Sequence, residues 1–258
     1  MGLYVKQVRP DCERTVVLIH GGGVSGWMWR PQVETLNDYH CLVPDLAEHG
    51  MSISVKPFSI KESAEQIAEI IRQQAHGGRA DVVVLSIGGQ IVAELLANAP
   101  DVLDHAIISG ALSRALPGYR LTSALGVASL PLSKAGWMIR ASLKSLGIPP
   151  EFELELADDT RATTAEGFRR IMEAVGTFAL SSKLRETKVP TLVVVGEKEQ
   201  KISIQSAREY VAMIPNAAGR MAPQVGHMWN MQNPGLFTRM IRSWVTDQPL
   251  PSEMKPLQ

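Results

Sequence analysis

The amino-acid sequence predicts an α/β protein, in which a doubly wound, mostly parallel sheet carries a helical insertion. Three observations lead to this fold class. Short apolar runs that are typical of buried strands alternate along the chain with segments of helical period. Such alternation is typical of parallel sheets that helices cover on both faces. Between the fourth and fifth of these strands, residues 112–188 contain helical pieces but no strand pattern.

The predicted elements follow one another in a regular order. Each strand is rich in Val, Leu and Ile, and the strands cover residues 15–20, 41–44, 81–85, 105–110 and 191–196. From residue 60, Ile60, Ala64 and Ile67 recur at helical spacing with charged residues between them, which indicates an amphipathic surface helix. Further helices are predicted over residues 31–36, 90–98, 206–214 and 236–245.

A chain of 258 residues can form one large core. We assign residues 1–111 and 189–247 to an α/β core and residues 112–188 to a helical cap. Residues 248–258 are expected to form a loose tail.

Composition and charge exclude several kinds of partner. Lys plus Arg and Asp plus Glu both number 26, so the formal net charge is zero and nucleic acid is not an expected partner. No apolar run is long enough to cross a bilayer, and the N-terminal residues contain no apolar run of signal-peptide length. We therefore expect a cytoplasmic protein without a membrane partner, and the sequence is compatible with a homodimer.

The cysteines and histidines give no sign of a metal site. The two cysteines, Cys12 and Cys41, are too few for a disulfide scaffold and indicate a reduced protein. Neither a C-x-x-C nor an H-E-x-x-H motif occurs. No metal is expected.

A serine follows the third predicted strand directly. The segment Val84-Leu85-Ser86-Ile87-Gly88 resembles the G-x-S-x-G turn that exposes a nucleophilic serine between a strand and a helix, with Val84 in place of the first glycine. A structural alternative is an ordinary turn in which Ser86 only caps the helix. As a nucleophile, Ser86 needs a base to accept its proton.

Two histidines follow Ser86 in the sequence, and one of them is suitably placed to be this base. His105 precedes its strand and so lies at the amino end of the sheet, whereas His227 lies in a loop before the last helix. The acid that orients the base is expected between Ser86 and His227. The fifth strand ends in a loop with two carboxylates, Glu197 and Glu199, and one of them is an ordinary solvated residue.

A glycine-rich loop follows the first predicted strand. Residues 21–26 fit the dinucleotide motif G-x-G-x-x-G, and Asp45 lies where a ribose-binding acid would be. Pro31, however, would interrupt the helix that such a motif requires at once after the loop. In a serine hydrolase the loop would instead donate the backbone N–H of Gly22 to an oxyanion, and Ile87 would supply the second N–H.

Taken together, these motifs resemble the α/β-hydrolase superfamily over nearly the whole chain. They comprise His20-Gly21, Pro44-Asp45-Leu46 before His49-Gly50, Ser86 on its turn, and Gly226-His227. Within the superfamily the chain is similar to small bacterial hydrolases and to the plant methyl esterase and hydroxynitrile lyase group, which share a His-Gly loop followed by a tryptophan. The resemblance implies an eight-stranded sheet with a helical cap, no cofactor, and hydrolysis of an ester or a related bond.

The family pattern at the end of the fifth strand is a glycine, two residues and then the acid, so the resemblance assigns the third triad member to Glu199. This sequence departs from the family in three places. The chain has a short segment before its first strand, which implies a shortened N-terminal hairpin. Ala47-Glu48 replaces the usual Pro-Gly, and Glu199 stands where aspartate is more usual.

We therefore expect a cofactor-independent serine hydrolase that cleaves a small apolar carboxylic ester through an acyl-enzyme. Trp27, Met28, Trp137 and Trp229 are candidates for the substrate pocket, although apolar residues at helical spacing commonly pack an insertion onto its sheet. Two alternatives remain, because fold and triad do not fix the substrate. One is a ligand receptor that keeps the triad but turns over slowly, and the other is a lyase.

Overall fold

One mixed sheet organises the chain. The computed structural model describes residues 2–257, and the strands of this part form the order β1-β3-β2-β4-β5-β6-β7-β8. In chain order the strands are β1 (Val5–Val8), β2 (Thr15–Ile19), β3 (His40–Pro44), β4 (Ala80–Leu85), β5 (Leu103–Ser109), β6 (Thr191–Gly196), β7 (Ala217–Ala222) and β8 (Lys255–Pro256). The outer strands β1 and β8 are antiparallel to their neighbours, and the other pairs are parallel. The predicted fold class is confirmed, and so is the eight-stranded sheet.

Three of these strands were not predicted. Strand β1 pairs with β3 in the antiparallel direction. Strand β7 has the sequence AAGRMA and is mostly half-buried, so it lacks the apolar run that marks β2, β4 and β6. Strand β8 has two exposed residues. Each of these strands lies at or next to an edge of the sheet, where burial does not demand apolar side chains on both faces.

The described helices divide between the two faces of the sheet and a segment above it. They are α1 (Arg30–Thr35), α2 (Ile60–Gln74), α3 (Ile87–Asn98), α4 (Tyr119–Ser133), α5 (Gly136–Leu146), α6 (Glu153–Ala162), α7 (Ala165–Thr177), α8 (Lys201–Met213), α9 (Trp229–Gln232) and α10 (Pro234–Val245). No helix within residues 2–257 combines the length and apolar character needed to cross a membrane.

The strands alternate their side chains between two hydrophobic cores. On β4, Val82 and Val84 belong to the core that also contains α2, α3 and α8, whereas Val83 and Leu85 belong to the core on the other face. Every residue of β4 is buried, because helices cover both faces. This two-sided burial explains why the central strands are continuous apolar runs.

Residues 112–188, called the cap segment below, lie between β5 and β6 and contain α4 to α7. Helix α4 packs against α7 at two glycines. A Cβ atom at Gly126 would lie 2.4 Å from the ring of Phe168, and one at Gly176 would lie 2.3 Å from Tyr119. Glycine at these positions therefore permits the close approach of the two helices.

The expectation of a loose tail over residues 248–258 is wrong for residues 254–257. Met254 is 5% exposed and belongs to a hydrophobic core. Lys255 pairs with Met221 of β7, and its ammonium group lies 2.6 Å from a carboxylate oxygen of Glu197. The buried methionine and the strand pairing attach this segment to the sheet, and residue 258 lies outside the described residues.

Candidate active site

Ser86 occupies a strained turn between β4 and α3. Its backbone has φ 58° and ψ −121°, a conformation that non-glycine residues rarely adopt and that costs roughly 1–3 kcal/mol. Two hydrogen bonds hold the turn, since the N–H of Ser86 donates to the carbonyl of Ser109 and the N–H of Gly89 donates to the carbonyl of Ser86. The turn therefore keeps Ser86 at the carboxyl end of the sheet in a conformation that the surrounding structure imposes.

Val84 fits in this turn because a glycine faces it. A Cβ atom at Gly88 would lie 3.0 Å from the Cβ of Val84 and 3.1 Å from the carbonyl oxygen of Ile19. Gly88 is the last glycine of the motif, and its missing side chain leaves room for Val84. The departure at position 84 is compatible with the serine turn.

His227 and Glu199 form a hydrogen-bonded pair. The Nδ1 atom of His227 lies 2.9 Å from Oε2 of Glu199, and the side chains of Glu199 and His227 are 2% and 36% exposed. The other carboxylate oxygen of Glu199 accepts the N–H of Gly196 at 3.1 Å. An ionised carboxylate only accepts hydrogen bonds, so Nδ1 of His227 carries the proton and Nε2 is left as a proton acceptor.

Glu197 points away from His227. One of its carboxylate oxygens accepts the N–H of Gln224 at 2.8 Å, and the other lies 2.6 Å from Nζ of Lys255. The hydrogen bond from Lys255 lowers the pKa of Glu197. Its carboxylate thus joins the loop after β6 to the C-terminal strand, and the geometry leaves Glu199 as the acid beside the histidine.

Gly110, which the sequence marked only as the end of a strand, lies beside this pair. It has φ 60°, and a Cβ atom there would lie 2.9 Å from Nδ1 of His227 and 3.1 Å from Oε1 of Glu199. A larger residue would displace the histidine or the carboxylate. A glycine at the carboxyl end of a strand next to the serine turn was the signal in the sequence that could have indicated this role.

Ser86 lies between two cavities. The first, called the histidine-side cavity, has a volume of about 510 Å³ and is lined by Ser86, Gly110, Glu199, His227, Lys198, Gln232 and neighbouring side chains. The second, called the cap-side cavity, has a volume of about 340 Å³. Its lining includes Ser86, Gly22, Ile87, Glu48, His49, Leu130, Phe168, Ile171, Met172 and Val175. The predicted nucleophile Ser86, base His227 and acid Glu199 therefore all line the histidine-side cavity. Ser86 also lines the cap-side cavity, together with the two predicted oxyanion donors Gly22 and Ile87.

His20 fixes the loop that carries Gly22. Its Nδ1 atom lies 2.7 Å from the carbonyl oxygen of Gly21, and its Nε2 atom accepts the N–H of Leu46 at 2.9 Å. These partners assign the proton to Nδ1 and leave the ring neutral. Burial lowers the pKa of His20 to about 4, because the charged form would lose its hydration.

We expect the free energy of unfolding to fall as the pH is lowered from about 6.5 to 4. His20 binds a proton in the unfolded chain below its ordinary pKa of 6.5 but not in the folded one until about pH 4. The neutral, buried His20 therefore makes its full contribution to the free energy of unfolding above pH 6.5. This contribution decreases by about 3 kcal/mol as the pH falls to 4, which corresponds to the difference between the two pKa values. Urea unfolding at several pH values measures the decline.

The variant His20→Asn isolates this contribution, since the amide retains a donor for the carbonyl of Gly21 but does not titrate. Its stability should change less steeply with pH than that of the wild type. His76→Asn is the control, because His76 is exposed and bonds the carbonyl of Pro10. Equal slopes for wild type and His20→Asn would contradict the prediction.

The structure argues against the dinucleotide alternative. The glycine loop leads into a 3-10 turn, Gly26–Trp29, and then into the short helix α1, with Pro31 near its start. The carboxylate of Asp45 accepts the N–H groups of Gly26 and Met51, each at 2.8 Å. Asp45 thus connects two loops of the protein and is not directed at a ribose.

The prediction of the substrate-pocket residues needs correction. None of the four residues, Trp27, Met28, Trp137 and Trp229, lines either cavity. Met28 and Trp229 are fully buried, and Trp229 donates to Oγ of Ser109 at 2.8 Å. Trp27 stacks on Phe152 and donates to Asp159 at 2.7 Å, and Trp137 is 57% exposed. Packing between segments that are distant in sequence directs these side chains into the cores or toward solvent.

Helix α7 provides much of the apolar lining instead. Phe168, Ile171, Met172 and Val175 recur at helical spacing on one face and line the cap-side cavity. This periodicity was visible in the sequence and indicates a buried helix face. It could not indicate what that face covers.

Comparison with known proteins places this architecture in a family. Residues 16–239 match the model of the alpha/beta hydrolase family. The chain belongs to that family. This confirms the superfamily resemblance, whereas the likeness to the plant methyl esterase and hydroxynitrile lyase group stays a prediction.

This α/β-hydrolase is similar to several characterised or named proteins. It is 28% identical to an AB hydrolase superfamily protein of Gibberella zeae over 258 residues, which cover 96% of this chain and 86% of that protein. It is 24% identical to pyrrolizixenacetamide deacetylase of Xenorhabdus hominickii, with 92% of each chain covered. The crystal structure of an enol-lactonase from Burkholderia xenovorans superposes with a TM-score of 0.79 at 22% identity, covering 95% of this chain and 96% of that one.

Within residues 2–257, no group of three or more His, Cys, Asp or Glu side chains is arranged to hold a metal ion.

Proposed function

We propose that this α/β-hydrolase cleaves carboxylic esters through an acyl-enzyme on Ser86, without a cofactor. The observation that carries the proposal is the 2.9 Å hydrogen bond between His227 and the buried carboxylate of Glu199, in a cavity that Ser86 also lines. This bond leaves Nε2 of His227 free to accept the proton of Ser86.

The reaction follows from these positions. Oγ of Ser86 attacks the ester carbonyl carbon while Nε2 of His227 takes the proton, and Glu199 stabilises the resulting imidazolium. The N–H groups of Gly22 and Ile87 stabilise the oxyanion. His227 then protonates the leaving alcohol, and water, activated by the same histidine, hydrolyses the acyl-enzyme.

The two cavities suggest where each half of the ester binds. The leaving alcohol must reach His227, so we assign it to the histidine-side cavity, which also contains the polar side chains of Lys198 and Gln232. The acyl chain then occupies the cap-side cavity, where α7 contributes Phe168 and Ile171. The substrate is therefore an ester with an apolar acyl group and a leaving group that tolerates polarity.

A panel of p-nitrophenyl esters from acetyl to octanoyl tests the proposal. We expect kcat/KM to rise by roughly fourfold per methylene until the cap-side cavity is filled, because each buried methylene contributes about 0.8 kcal/mol. A matched hexanoyl anilide tests whether the enzyme prefers an ester or an amide bond, since one relative is named as a deacetylase and one structural neighbour as a lactonase. The anilide should react more slowly than the ester.

Three outcomes would contradict the proposal. Tight binding of the esters with negligible turnover would favour a receptor, and faster cleavage of the anilide would favour an amidase. A value of kcat/KM that does not depend on acyl length would contradict binding of the acyl chain in the cap-side cavity. The cytoplasmic location and compatibility with a homodimer stay predictions.

A further inference from the structure

Glu48 is a buried carboxylate in an unusual backbone conformation. The residue is 8% exposed and has φ 63°, in the region that favours glycine. Its Oε2 atom accepts from Nε of Arg170 at 2.8 Å and from the N–H of Phe58 at 3.0 Å, while Oε1 forms a second bond with Arg170. Such a two-bond arrangement is the strongest that arginine and a carboxylate can make.

The position of Glu48 in the sequence makes this arrangement notable. Ala47-Glu48 stands where the resembled family commonly has Pro-Gly, and glycine would adopt this backbone conformation without strain. The glutamate therefore introduces strain that glycine avoids. In return, the side chain of Glu48 makes a contact that glycine cannot make, the ion pair with Arg170 of the cap segment.

Arg170 lies on α7, and α7 covers the cap-side cavity. Its neighbours Ile171 and Met172 line that cavity from the cap segment, whereas Glu48 and His49 line it from the core. The ion pair thus connects two opposite sides of one cavity. The side chain of Glu48 is 4% exposed and that of Arg170 is 30% exposed, so water screens the pair less than a surface pair.

We propose that the pair of Glu48 and Arg170 positions α7 over the cap-side cavity and thereby sets the selectivity for apolar acyl chains. The selectivity part rests on the proposed function, in which this cavity holds the acyl group. Without the pair, α7 is less firmly held, and a long acyl chain loses apolar contacts with its face. An acetyl group is too short to depend on them.

Two variants remove the pair from opposite sides. Glu48→Gly removes the carboxylate and also relieves the backbone strain, so it should remain folded, and Arg170→Gln removes the guanidinium. Each has a matched control. Glu166→Gln removes an exposed carboxylate 3.7 Å from Arg170 on the same helix, and Arg169→Gln removes an exposed neighbouring guanidinium.

Two measurements are compared in the full-length protein. The ratio of kcat/KM for the hexanoyl ester to that for the acetyl ester should fall at least about tenfold in Glu48→Gly and Arg170→Gln, mainly through KM of the hexanoyl ester. Four methylenes at roughly fourfold each leave ample range for this change. Backbone amide hydrogen exchange over residues 165–177 should accelerate at least about tenfold, and both controls should stay within twofold of wild type.

The double variant Glu48→Gly with Arg170→Gln should be no worse than Glu48→Gly alone, since Glu48→Gly already removes the carboxylate that Arg170 binds. Unchanged exchange would overturn the positioning role, and faster exchange with an unchanged ester ratio would overturn the selectivity role. If the wild type cleaves none of the esters, the proposed function fails and the selectivity claim with it. The exchange result still decides whether the pair holds α7.

Discussion

Replacing Ser86 with alanine is expected to lower kcat by roughly 10⁵- to 10⁶-fold, because the acyl-enzyme cannot form without the hydroxyl. The fold should be retained, since alanine keeps the Cβ atom and the hydrogen bonds of the turn involve the backbone. A fluorophosphonate probe should label the wild type and fail to label Ser86→Ala. Ser129→Ala, which removes an exposed cap hydroxyl, should be labelled like the wild type.

The same position also gives a stability prediction. At φ 58°, glycine relieves strain that both serine and alanine carry. Ser86→Gly should therefore be more stable than Ser86→Ala by about 1 kcal/mol in urea unfolding, although both are inactive. Probe labelling that persists in either variant would refute Ser86 as the nucleophile. Equal stability of Ser86→Gly and Ser86→Ala would show that the backbone conformation at this position is not strained.

Replacing Glu199 with glutamine is expected to lower kcat by roughly 10²- to 10⁴-fold. A neutral amide cannot stabilise the imidazolium, and its NH₂ group can hold His227 in the wrong tautomer. The loss should be smaller than that of Ser86→Ala, because the nucleophile and base remain. Steady-state kinetics on the preferred ester measures both changes.

Glu197→Gln is the matched control for this experiment. It makes the same chemical change two residues earlier, at a carboxylate that contacts Gln224 and Lys255. Its kcat should stay near that of wild type, although the contact with the C-terminal strand is weakened. The reverse pattern would assign the acid role to Glu197, and near-full activity in both variants would remove the acid from the proposed mechanism.

Local sequence patterns were sufficient for the central sheet. Strands β2, β4 and β6 are buried on both faces, so their residues are apolar regardless of what packs against them. The strands at or next to the edges of the sheet were missed for the opposite reason. In β7, most residues are half-buried and pairing with β6 does not depend on side-chain identity, so no pattern marked the strand.

The sequence likewise indicated Ser86 and His227, because a strand followed at once by a helix constrains the residue between them, and chain order limits the base. For the acid, the residues alone left two carboxylates open, and the family pattern favoured Glu199. The tertiary structure shows why the two differ. Glu199 turns back toward Gly196 and His227, while Glu197 faces the strand formed by Lys255.

By itself, then, the sequence determined the fold class, the serine turn and the glycine loop, since each depends on backbone conformation within a few residues. Only the tertiary structure decided which apolar side chains surround Ser86. Met28 and Trp229 pack into a core, whereas Ile171 and Met172 line the cap-side cavity from a helix more than eighty residues away in sequence. All four are apolar, and apolar character favours burial without specifying a partner. Which surface each side chain meets is fixed by the packing of distant segments.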